Sequence, residues 1–166
     1  MINSLWAETA ELPAFPRLER DLKTDILIVG GGMAGLLCAY ALNRACADYA
    51  LIEADRICGG ITRNTTAKIT SQHGLIYDKL IREFGEETAR LYYEANQAAI
   101  QSYRKLAQNY PCELETRSAF VYATGDTAQL EKELCALERI GAKAAYRSSL
   151  PLPFPVTGAI EFEEQA

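Results

Sequence analysis

The chain has 166 residues, 49% hydrophobic and 23% charged, which is the balance of a globular protein and excludes a disordered one. Lys plus Arg is 17 and Asp plus Glu is 22, so the net charge is −5, and neither nucleic acid nor an anionic membrane face is expected as a partner. Five cysteines without a C-x-x-C pair and one histidine, His73, offer no zinc-site pattern, so no metal is expected and the thiols read as free, in a cytoplasmic setting.

Residues 1–24 carry Pro13 and Pro16 and no sustained period, and read as an irregular arm packed on the domain; they lack the basic and apolar regions of a signal peptide. Residues 25–29 form a continuous apolar run ending in glycines, as a strand buried on both faces would. The uncharged stretch 26–42 is short for a bilayer and is broken by Gly30, Gly31, Gly32 and Gly35, so no membrane span is expected. A helix over 33–46 and a strand over 49–53 complete a βαβ unit with parallel strands. Residues 55–73 read as a long polar loop, a place where function concentrates.

A helix follows over 75–84, with Leu75, Ile76, Leu80, Ile81 and Phe84 on one side. A longer one over 86–109 has the stripe Ala89, Tyr92, Asn96, Ala99, Tyr103, Leu106 and Tyr110, read as core packing. Beyond Pro111 the pattern gives strands over 112–115 and 119–124 and a helix over 127–140 with Leu130, Leu134 and Leu137 inward. A strand over 144–147, an extended Pro-limited stretch over 150–155 and a strand over 158–162 follow. Two parallel strands with one crossover helix rarely stand alone. The sequence therefore reads as the front part of a larger protein, or as a part that a partner completes.

The sharpest motif is Gly30-Gly31-Gly32-Met33-Ala34-Gly35, with Gly30, Gly32 and Gly35 at the G-x-G-x-x-G positions between a strand and a helix. Gly30 allows the tight turn, Gly32 a close approach of backbone to a pyrophosphate, and Gly35 close packing of helix on strand. Phosphates are favoured at the N-terminus of that helix, beside Met33 and Ala34. Glu53, 18 residues after Gly35, ends the second strand, where a carboxylate accepts both ribose hydroxyls of an adenosine and repels a 2′-phosphate. Arg56-Ile57-Cys58-Gly59-Gly60-Ile61-Thr62 is a second cue, a turn whose N–H groups and hydroxyls wrap the pyrophosphate from the other side. Thr65 and Thr66 add donors, and residues 67–70 would run past a flavin ring, with Lys68 either beside it or facing solvent. His73 reads as a helix cap or packed polar group, or as a proton-transfer group at the flavin.

Residues 25–74 resemble the start of FAD-dependent oxidoreductases related to D-amino-acid oxidase and glycine oxidase. The resemblance rests on Gly30, Gly32 and Gly35, on Ala39 and Leu42, on Glu53 and Ala54 at the second strand's end, and on Arg56 to Thr62. The stretch 64–74, the Ser4-Leu5-Trp6 opening and the helices of 75–109 are similar to a bacterial subgroup that often carries a C-terminal Rieske domain. The resemblance implies an α/β fold: a Rossmann-like FAD-binding domain, incomplete here, followed by helices and the start of an antiparallel substrate domain. Its boundaries are read as 1–75 for the FAD-binding βαβ unit with arm and flavin loop, 76–110 for a helical pair, and 111–166 for the start of the substrate domain. It implies FAD as cofactor, an amine or amino acid as substrate, and a further C-terminal portion that supplies most substrate contacts and any Rieske ligands. The cofactor-binding residues would be Gly30, Gly32, Met33, Ala34, Gly35, Glu53, Ala54, Arg56, Gly60, Thr62, Thr65, Thr66 and Lys68, with no catalytic residue named. Two other readings remain open: a dinucleotide-binding module without chemistry, and an apo domain that self-associates through unfinished sheet edges.

Overall fold

The computed structural model describes residues 4–166. The architecture is α/β, with one parallel strand pair and one antiparallel sheet. The chain divides into two compact units, Met1–Ala67 and Lys68–Ala166.

In the first unit, helix α1 (Leu5–Thr9) precedes strand β1 (Ile26–Val29), helix α2 (Met33–Arg44), strand β2 (Tyr49–Ile52) and a 3-10 turn over Ile61–Asn64. Strands β1 and β2 are parallel, in the register Ile26↔Tyr49 to Val29↔Ile52, with α2 as the crossover. Gly35 sets how close α2 comes: a Cβ there would lie 3.4 Å from Ile28 Cγ2. Ile28 therefore faces the helix, and by strand alternation Leu27 and Val29 face the other way. That second face is bare, with Leu27 55% and Val29 77% exposed. The expectation of a strand buried on both faces is thus corrected, because one crossover helix covers only one side.

The arm also departs from expectation. Residues 1–3 lie outside the described residues. Ser4 Oγ donates to the Arg63 carbonyl, which ties the start of α1 to the 3-10 turn. Farther along, Phe15, Leu18 and Leu22 are all more than half exposed, so most of the arm is not packed on the unit.

The second unit holds helices α3 (Tyr77–Phe84) and α4 (Glu86–Ala107), strand β3 (Arg117–Ala123), helix α5 (Ala128–Arg139), and strands β4 (Ala145–Arg147) and β5 (Gly158–Gln165). The sheet order is β3-β5-β4, antiparallel throughout. Ile160 and Phe162 of β5 pack with Leu130 and Leu137 of α5, Ala89 and Tyr93 of α4, and Tyr77 of α3 in one core. Leu134 packs against its edge. Among the described residues no helix is long and apolar enough to cross a membrane, and no group of three or more His, Cys, Asp or Glu could hold a metal.

Three expectations shift here. No strand forms over 112–115: Cys112 N–H turns back onto the Tyr110 carbonyl at 2.9 Å and Glu113 has φ +50°, so the backbone bends away from any partner. The inward stripe of α4 is rotated, with Tyr93 and Ile100 buried instead of Tyr92 and Ala99. Both tyrosine rings touch Tyr77, and Tyr93 is fixed inward by accepting the Lys143 N–H at 3.0 Å. On α3 the buried residue is Tyr77, while Leu75 and Phe84 are exposed. Burial and the neighbouring Tyr92, Tyr93 and Glu133 push the Tyr77 pKa up, so its hydroxyl stays protonated and donates to the Ser71 carbonyl at 2.6 Å.

A buried carboxylate anchors this core. Glu133 of α5, 1% exposed, accepts the N–H groups of Ile76 and Tyr77 on Oε1 and of Asp78 on Oε2, each at 2.9 Å. These are N-terminal N–H groups of α3 without an intrahelical acceptor, and the helix dipole favours the negative charge there. His73 is accordingly not the cap of this helix; its Nδ1 lies 3.0 Å from the Tyr92 hydroxyl. Replacing Glu133 by Ala leaves three backbone donors without their acceptor, and is expected to cost about 3–5 kcal/mol in urea unfolding. Leu134→Ala, at the core's edge, is expected to cost less.

Candidate functional site

The site is built where β1 ends. Gly30 N–H extends the ladder to the Ile52 carbonyl at 2.8 Å, and the chain then turns with Gly30 at φ +107°. An added Cβ at Gly30 would meet nothing within 4 Å, so its requirement is conformational. At Gly35 the requirement is steric, since a Cβ would lie 2.0 Å from the Gly30 carbonyl oxygen. Gly32 is the N-cap of α2, in extended conformation and without a side-chain cap. The first turn of α2 carries no acidic side chain, so Met33 and Ala34 open a helix whose positive end is not neutralised from within.

Glu53 follows β2 and projects an exposed carboxylate at this loop. Its Oε2 accepts the Gly31 N–H at 2.6 Å and its Oε1 the Asp55 N–H at 3.1 Å. Hydrogen bonds from the backbone N–H groups of Gly31, Asp55 and Ala54 hold its pKa below the ordinary glutamate value of 4.5. The 56–62 turn joins the same place. Cys58, at φ +55°, donates its N–H to the Gly31 carbonyl at 2.9 Å, and Thr62 Oγ1 accepts the Met33 N–H at 3.1 Å. Arg56 is exposed, and its carbonyl accepts the Gly59 N–H at 2.9 Å. Gly60 has open space around its α-carbon and caps the 3-10 turn, with Asn64 Nδ2 donating to its carbonyl at 3.0 Å. Thr65 Oγ1 accepts the Ala67 N–H at 3.2 Å, and Thr66 is exposed.

All of the expected site residues except Lys68 fall in the first unit, while Lys68, exposed, begins the second. Sequence reasoning gave no role to Gly31, and took Ile57 and Cys58 only as members of the 56–62 turn. Gly31 is buried, the only residue of the first unit to be so among those described. The available signal was the middle one of three consecutive glycines, at a position the G-x-G-x-x-G spacing leaves free. Chemically, the arrangement offers a glycine turn and helix N-terminus for phosphates, and a carboxylate with unused lone pairs for vicinal hydroxyls.

Comparison with known proteins bears on which ligand this is. Residues 25–165 match the family model described as FAD dependent oxidoreductase. YhfW of Bacillus subtilis, named as a Rieske 2Fe-2S iron-sulfur protein, is 37% identical over 168 residues, covering 99% of this chain and 33% of its own. Gamma-glutamylputrescine oxidoreductase of Escherichia coli is 26% identical, over 82% of this chain and 31% of its own. OrdL of Rhizobium meliloti, named as an oxidoreductase, is 26% identical, over 77% of this chain and 30% of its own. The chain thus spans about a third of the length of these relatives.

Two outcomes are expected of this geometry. Gly35→Ala drives a Cβ into the Gly30 carbonyl and is expected to destabilise the first unit by at least about 1–3 kcal/mol, read as lost helical circular dichroism on mild heating. Because the Glu53 pKa is lowered on folding, its contribution is full above 4.5 and is lost as pH falls through the depressed value. Acid titration of the melting temperature should therefore show a fall below that range in the wild type, and a shallower fall in Glu53→Gln.

Proposed function

The chain belongs to the family of FAD-dependent oxidoreductases, and from that premise we propose that its first unit holds the adenosine diphosphate half of FAD in an enzyme that oxidises an amine or amino acid. The cofactor of the family is FAD. The βαβ unit is read as the opening of a Rossmann-like sheet, with the pyrophosphate over Gly30, Gly32, Met33, Ala34 and Gly35. The observation that carries the reading is the exposed Glu53 carboxylate, tethered by backbone N–H groups beside a glycine turn at a helix N-terminus.

The residues present fit that ligand. No Cβ crowds the turn at Gly30 or Gly60. Glu53 Oε2 accepts the Gly31 N–H and Oε1 the Asp55 N–H, and the acceptor capacity left on the carboxylate is assigned to the adenosine ribose hydroxyls. Thr62 Oγ accepts from Met33 N–H and keeps its own proton to donate to a phosphate oxygen. Ala54, Arg56, Thr65 and Thr66 are assigned to the same binding surface from the sequence, and Lys68, at the start of the second unit, is assigned to FAD on the same ground. Bound FAD supplies the acceptor for the hydride removed from the substrate.

The amine class rests on the relatives' names: gamma-glutamylputrescine oxidoreductase acts, by its name, on an amine derivative. The kinship with a protein named for a Rieske centre points to an iron–sulfur domain in the whole protein. A Rieske centre takes two histidines, and this chain has one, so its ligands would come from outside these residues. The bare Leu27 and Val29 face favours a second reading, a dinucleotide-holding domain that self-associates. That reading calls for dimers in sedimentation and for no substrate reduction of bound flavin.

The test is FAD titration of the purified chain by flavin fluorescence, with Glu53→Ala compared. The variant is expected to bind about tenfold or more weakly, and equal affinity would contradict the assignment. For the substrate class, the longer protein loaded with FAD should lose its visible flavin band when mixed anaerobically with a primary or secondary amine. It should keep that band with a 2-hydroxy acid.

A further inference from the structure

We infer that Gly31 is a positioning residue, whose N–H aims the Glu53 carboxylate at the adenosine ribose and whose missing Cβ leaves room for it there. The inference rests on the FAD reading above.

An exposed glutamate ordinarily samples several rotamers, and its lone pairs point nowhere in particular. Here the Gly31 N–H holds Oε2 at 2.6 Å while the Asp55 N–H holds Oε1 at 3.1 Å. These bonds fix the direction of the carboxylate, and with it that of the acceptor sites they leave open. Two fixed acceptors side by side suit a vicinal diol that donates twice. The other side of the same residue is tied as well, because the Gly31 carbonyl accepts the Cys58 N–H at 2.9 Å. Gly31 therefore joins the glycine turn, the end of β2 and the 56–62 turn.

Its φ lies outside the left-handed region, so the backbone would tolerate alanine and the constraint is one of space. An added Cβ would lie 3.0 Å from Ile57 Cγ1 and 3.2 Å from Glu53 Cβ, both tighter than ordinary contact. Ile57 can rotate. Glu53 Cβ is bonded directly to the main chain at the end of β2, so it gives by a few tenths of an ångström only with a shift that carries the carboxylate off its line.

The test compares Gly31→Ala with wild type for FAD and for the FAD analogue that lacks the adenosine 2′-hydroxyl, by flavin fluorescence. Wild type should prefer FAD by roughly tenfold, the value of one charge-assisted hydrogen bond. In Gly31→Ala that preference should collapse towards unity, and the Gly31→Ala/Glu53→Ala double variant should bind no more weakly than Glu53→Ala. A role confined to stability would lower both affinities alike and keep their ratio, and that result would overturn the inference. Gly125→Ala, whose Cβ would meet nothing within 4 Å, serves as the neutral control.

Should Gly31→Ala fail to fold, the wild-type Gly31 amide decides by nuclear magnetic resonance without any ligand. It should exchange slowly and lose that protection in Glu53→Ala. A freely exchanging Gly31 amide in wild type would overturn the inference. A wild type that takes up no FAD would instead refute the cofactor assignment of the first unit, and the amide would still judge the Gly31–Glu53 bond.

Discussion

The hydrogen bond from the Gly31 N–H to the Glu53 carboxylate is the contact on which the candidate site depends. The first unit has no buried apolar side chain among its described residues, and α2 buries none. Its strand pair shows one face to solvent. What orders the glycine turn is therefore local hydrogen bonding: Gly30 to Ile52, Gly31 to Glu53, Cys58 to Gly31 and Met33 to Thr62. Each bond is individually modest. Together they join seven residues, and that convergence turns a polar loop into a shaped surface.

The second unit uses a carboxylate in the opposite way. Glu133 is removed from water and spends both oxygens on the N-terminus of α3. Glu53 stays in water, is anchored by backbone N–H groups on both oxygens, and keeps acceptor capacity for something else. Burial and spare lone pairs thus separate a structural carboxylate from one suited to a ligand. Gln165 has a structural role too: its Oε1 accepts from the Ser71 N–H at 2.8 Å and the Thr70 hydroxyl at 3.0 Å, locking the end of β5 to the segment before α3.

Much of the first unit was legible because its signals are local. An apolar run, three glycines and a second apolar run with an acid at its end can be read without knowing any distant contact. The strand Ile26–Val29 and helix Met33–Arg44 follow from that pattern within a residue or two at each end. What sequence could not give was tertiary. Glu133 lies on the apolar stripe of α5, three residues after Leu130 and four before Leu137, yet only the approach of α3 explains why a charge belongs there. The rotation of the α4 stripe has the same origin: Tyr92 and Tyr93 are equivalent by composition and both rings touch Tyr77, but only the Tyr93 hydroxyl meets the Lys143 N–H, while that of Tyr92 meets His73. The absent strand at 112–115 lacked a partner, which propensity does not report. Gly31 was hidden because a spacing motif leaves its position blank, while the constraint on it comes from Glu53 and Ile57.

The most direct measurement of the central claim is a backbone amide titration of the isotope-labelled chain with FAD. The account requires saturable shifts concentrated at Gly30 to Gly35, at Glu53 and Ala54, and at Gly60 to Thr62. Binding with shifts confined to residues 68–166, or no saturable shift at all, would contradict it.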